Sequence, residues 1–156
     1  MSSEVSLMMW TELETSTYQD HVIKHVLGAT VLGWIVIEDA LHMLLDVGLL
    51  WTIYVNAEMN LMAQGVAVED LESDELTHSE VLQLASDAQL LITEGREATG
   101  LHRFTGAPLE CTIIAVEVFA SGPQRRVVIA GEAADIEVET SLDQLQFTID
   151  AKPHQR

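Results

Sequence analysis

The amino-acid sequence predicts an α+β fold: one antiparallel sheet of about five strands carrying two or three helices. Three observations predict it. Two segments carry complete helix-start signals ahead of apolar positions that recur every three to four residues. Several short runs are rich in β-branched residues or alternate strictly, and glycine-rich or acidic turns separate them. A length of 156 residues fits one domain. Its expected bounds are 16–150, after an N-terminal segment, 1–15, without assignable order, and before a tail, 151–156, expected to fray.

The first helix begins at Ser16. Ser16 and Gln19 stand at capping-box spacing, Asp20 lies in the first turn, and Gly28 follows Lys24 and His25. Tyr18, Val22 and Val26 form its apolar stripe. The next run, ATVLGWIVI (29–37), reads as a buried strand. Glu38 to Val47 reads as a second helix stopped by Gly48, mostly apolar, with Glu38, Asp39, His42 and Asp46 on one polar stripe. LLWTIYV (49–55) reads as a strand, NAE as a turn and MNLMAQGVAV as one or two short strands. The acid-rich EDLESDEL (69–76) reads as a loop.

Thr77 and Glu80 form another capping box, and Val81, Leu84, Ala85, Ala88, Leu91 and Ile92 keep helical spacing up to Gly95. GLHRFTGAP (100–108) is a turn-rich loop, and CTIIAVEVFA (111–120) a strand apolar enough for the middle of a sheet. SGPQRR turns the chain onto VVIAGEAADIEVE, where Asp135, Glu137 and Glu139 share one face and Ile136 and Val138 the other. QLQFTID (144–150) alternates as a strand with one wet face does. No internal repeat or interdomain linker is visible. From residue 38 the order helix-strand-strand-helix-strand-strand-strand resembles that of roadblock, longin and profilin-like domains. That resemblance implies five antiparallel strands with helices on their faces, and a role as a dimerising interaction module.

Composition narrows the function. Twenty-five acidic residues against seven basic ones leave a net charge of −18, so the field repels phosphate, and nucleic acids and anionic membranes are excluded as partners. Solubility accounts for such acidity, and a basic partner surface or a high-salt habitat are the sharper readings. Hydrophobic residues make up 48%, enough for a real core. The uncharged run from Val26 to Ile37 falls short of the ~20 residues a spanning helix needs. The opening MSSEVSLMMWTELE lacks the basic region of a secretory signal, and one cysteine permits no internal disulfide. Both point to the cytoplasm.

Chemistry-bearing residues are few. His21 and His25, four apart on one helix, and Glu38 and His42 on the next are the candidate ligands for a divalent metal, with Asp39 or Asp46 orienting a ligand or water. His102 and Arg103, in a loop between glycines, are the candidates for gripping an anionic small ligand. Cys111 opens an apolar strand next to Glu110, an environment that disfavours a thiolate. The acid runs lack the spacing of a calcium loop, and no phosphate-binding glycine motif is present. Two functional readings follow. One is a non-enzymatic acidic binding or scaffolding domain acting as a homodimer, on account of the apolar surplus in 49–55 and 111–120. The other is a divalent-metal-dependent enzyme or metal-binding protein.

Overall fold

The computed structural model describes residues 9–37, 40–48, 50–54, 61–64, 76–141 and 144–154. Among them the chain runs β1 (Thr11–Leu13), α1 (Thr17–Val26), β2 (Val31–Ile37), β3 (Ala40–Leu45), β4 (Leu50–Tyr54) and β5 (Leu61–Gln64). It continues through α2 (His78–Glu94), β6 (Thr105–Gly106), β7 (Ile113–Ser121), β8 (Gln124–Gly131), β9 (Ala134–Ser141) and β10 (Gln144–Pro153). The class is α+β, as expected, but the strands form two antiparallel sheets rather than one, ordered β5-β4-β3-β2-β6 and β1-β7-β8-β9-β10.

Both capping boxes form. Ser16 and Thr77 each accept from the backbone three residues on, and Gln19 and Glu80 return the bond. The largest departure is the segment expected to be a helix over 38–47: Ala40–Leu45 is a strand, buried along its whole length. Its neighbours are β2 and β4, in the middle of its sheet. Both faces are covered, so apart from His42 the run is apolar on both sides instead of alternating, and a short run of that kind looks the same in a buried strand or helix. VVIAGEAADIEVE likewise holds two strands, because the chain reverses at Glu132–Ala133. Before it, Gly122, with φ of 59°, opens a two-residue turn that brings Ser121 opposite Gln124. At the chain's end β10 runs on to Pro153, inside the tail expected to fray.

The topology repeats although the sequence does not. Helix α1 precedes the antiparallel meander β2–β3–β4–β5, and α2 precedes β7–β8–β9–β10. The two short strands are exchanged: β1 adds to β7, and β6 adds to β2. Equivalent residues ahead of each meander, Thr30 and Thr112, meet in an antiparallel bridge, their hydroxyl oxygens 2.8 Å apart. Gly28 N–H donates to the Ile113 carbonyl, Ile113 N–H to Ala29 and Val31 N–H to Cys111, at 2.8–3.0 Å. This seam ties the two halves together.

One face of each sheet enters a common core. Leu41, Met43, Leu45, Trp51 and Ile53 of the first meander meet Val116, Val118, Val127, Ile129, Ile136 and Val138 of the second, with Val22 and Val26 of α1. The opposite face of the first sheet, with Leu32, Ile37, Leu44 and Leu50, is covered by Leu84, Ala88 and Leu91 of α2 and by Phe104. Burying each such leucine contributes about 2 kcal/mol. Among the described residues no helix is long and apolar enough to cross a membrane.

Candidate functional site

The histidine candidates separate. On α1, Val22 and Val26 turn inward, which leaves His21 and His25 exposed on the other side. Their rings meet edge to face at 88°, centroids 4.6 Å apart, with the two Nε2 atoms at 3.2 Å. His42 sits on β3 among the even-numbered residues, so it points away from the core that holds Val22 and Val26. It is buried, and its Nδ1 lies 2.9 Å from the Thr52 hydroxyl of the neighbouring strand. Burial pulls its pKa below the ordinary value. Glu38 and Asp39 lie outside the described residues, and Asp46 sits in a turn where its carboxylate accepts the Thr30 N–H at 2.9 Å. Thus His21 and His25 come together, while His42 faces the opposite way. Among the described residues no group of three or more His, Cys, Asp and Glu is placed to hold a metal ion.

His102 and Arg103 are held by a residue that sequence reading passed over. Asp87, fully buried in α2, accepts three backbone N–H bonds: His102 at 2.8 Å on Oδ1, Arg103 at 2.6 Å and Phe104 at 2.8 Å on Oδ2. The carboxylate thereby clasps the loop onto the helix. Its signal was present, since Asp87 interrupts the apolar stripe three residues after Leu84 and four before Leu91. The Arg103 guanidinium is turned back onto α2, where it donates to Glu80 and, at 3.3 Å, to Gln83. Glu80 titrates below the usual carboxylate range because the Thr77 backbone and hydroxyl bond it, with Arg103 adding to the effect.

Cys111 is buried against β8, 3.8 Å from the Ile129 carbonyl. Desolvation, then the Asp135 charge, push its thiol up to about 11. A thiol so held is a core residue and a poor nucleophile.

The second sheet presents a charged outer face. Cross-strand pairing places Glu12, Phe119, Arg126, Glu139 and Thr148 in one row, and Glu117, Val128, Glu137 and Asp150 in the next. Arg126 bonds Glu139 at 2.8 Å, Lys152 bonds Glu137 at 3.1 Å, and the His154 ring lies 2.8 Å from Asp135. Arg126 also stacks over the Trp10 ring, 4.2 Å from its centroid. Such solvent-facing pairs contribute little to stability, about 0–1 kcal/mol each. Six carboxylates, Glu12, Glu117, Asp135, Glu137, Glu139 and Asp150, share this face with two permanent cations, Arg126 and Lys152. Shallow recesses flank it, one lined by Glu12, Glu14, Thr15 and Glu117, the other by Asp135, Lys152, Pro153 and His154.

No protein-family model, curated protein or solved structure matches the chain.

Proposed function

We propose that this chain is a non-enzymatic, cytoplasmic binding and scaffolding domain that acts as a homodimer and presents the outer face of its second sheet to a basic protein surface. The observation that carries the reading is the charge of that face. Its carboxylates outnumber its cations on a rigid, cross-strand-paired surface, with Phe119, Val128 and Trp10 offering apolar area between them. A surplus of negative charge on a rigid sheet steers cationic partners and repels anionic ones.

The dimer rests on β10. It is the edge strand of its sheet and ten residues long, and an unpaired strand edge is a template for another strand. Antiparallel pairing with a second copy, centred on Ala151, sets Asp150 of each chain opposite Lys152 of the other, two complementary pairs in one isologous contact. The acidic faces of the two copies then join into one continuous surface.

Light scattering behind size-exclusion chromatography tests this at micromolar concentration. The expected result is a two-chain mass for the native protein, a one-chain mass for Asp150→Lys, and recovery of the dimer in the swap Asp150→Lys with Lys152→Asp. A native monomer removes the homodimer. Retention of a cationic polylysine probe by native protein, weakened in Glu137→Gln with Glu139→Gln, tests the face separately.

A further inference from the structure

We infer that His21 and His25 form a two-nitrogen chelate for a borderline transition-metal ion such as nickel, zinc or copper, a site independent of the dimer and of the charged sheet face. The two side chains stand one turn apart on α1, the spacing at which helix residues become neighbours. The helix that carries them is fixed at both ends of the pair: the capping box at Ser16 and Gln19 sets its start, and Val22 and Val26 lock its other side into the core, 4% and 0% exposed. The backbone therefore holds the two rings in register before any ligand arrives.

The ring geometry supplies the second step. With the Nε2 atoms 3.2 Å apart, one ring donates its Nε2 proton to the lone pair of the other. An ion can take that proton's place when the donor ring shifts its hydrogen to Nδ1, which leaves both Nε2 lone pairs free to ligate. At metal–nitrogen lengths of about 2.0–2.1 Å, that separation subtends an angle of about 100° at the ion, between the octahedral and tetrahedral values. Each ring must turn by about 40°, so that its Nε2 lone pair leaves the N···N line and aims at the ion, a motion open to exposed imidazoles. Both imidazoles are exposed, so the remaining coordination positions are open to water.

Among the described residues no further group completes a protein cage. His42 points from the opposite face of the first sheet, and the Asp20 carboxylate already accepts the Thr15 hydroxyl. The chain's net charge of −18 concentrates cations of every kind near the surface without choosing among them. Selection comes from the imidazoles, which favour copper, nickel and zinc, whereas magnesium and calcium seek oxygen donors.

The test is calorimetric titration of nickel chloride into the full chain, with excess magnesium present to occupy the surface carboxylates. Native protein, His21→Ala, His25→Ala and His154→Ala are compared, each checked for native circular dichroism. The expected result is one nickel per chain in native protein and in His154→Ala, with the isotherm lost in both His21→Ala and His25→Ala. Failure of the native chain to bind, an unchanged isotherm in either α1 variant, or an equal loss in His154→Ala would overturn the assignment.

Discussion

Replacing Asp87 with alanine is expected to be among the most damaging single changes to a charged residue in this protein. The carboxylate is fully buried and satisfies three consecutive backbone donors, those of His102, Arg103 and Phe104, at 2.6–2.8 Å. Removing the acceptor leaves donors that the fold keeps close to the helix. Each unsatisfied donor costs about 1–3 kcal/mol, the lower end applying where water can reach it and the upper where it cannot. His102 and Arg103 are exposed residues and Phe104 is buried, so the total comes to about 4 kcal/mol. Against a domain stability of about 5–15 kcal/mol, that is a large fraction. Urea unfolding followed by circular dichroism measures it: with a slope of about 2 kcal/mol per molar, the midpoint falls by about 2 M. Asp87→Asn keeps the shape and one acceptor oxygen, so it is expected to lose about half as much. A loss below about 1 kcal/mol in Asp87→Ala, at unchanged slope, would refute the view that this carboxylate clasps the loop.

Two further outcomes follow from the same geometry. Burial holds the pKa of His42 below its ordinary 6.5, so the unfolded chain takes up the proton first and stability falls as pH drops below that value; thermal melts of native protein should lose more between neutral and mildly acid pH than those of His42→Leu, and parallel slopes would contradict this. Gly33 lies where a Cβ would stand 2.6 Å from the Thr105 carbonyl oxygen and 3.1 Å from Leu91 Cδ1; Gly33→Ala should destabilise by about 1–3 kcal/mol through displacement of β6, and a melting temperature equal to the native one would show that the contact yields freely.

Much of the local structure was legible in the chain. The capping boxes at Ser16 and Thr77 are complete within four residues each, so no distant contact is needed to read them. Alternation from Asp135 to Glu139, inside the run VVIAGEAADIEVE, announced extended chain with Asp135, Glu137 and Glu139 on one side, and that is how they lie in β9. The close approach of His21 and His25 was also readable, because helix geometry alone brings residues four apart together. Within the described part of 38–47, Ala40–Leu45, the expected helical stripe was not realised. It presumed a helical period, whereas β3 places His42 beside Thr52 on the neighbouring strand.

The amino-acid sequence by itself determined where the two capped helices begin, which alternating runs are extended and how strongly negative the molecule is, because propensity, capping and charge act over a few residues. Tertiary structure alone decided that Ala40–Leu45 pairs as a central strand, that the strands divide between two sheets, and that Thr30 meets Thr112 across 82 positions of chain. It also decided that Asp87 faces three donors 15–17 residues away. The physical reason is common to all of these. A strand acquires its hydrogen bonds, and a buried carboxylate its donors, only from segments remote in sequence, so the outcome depends on which layers cover which faces.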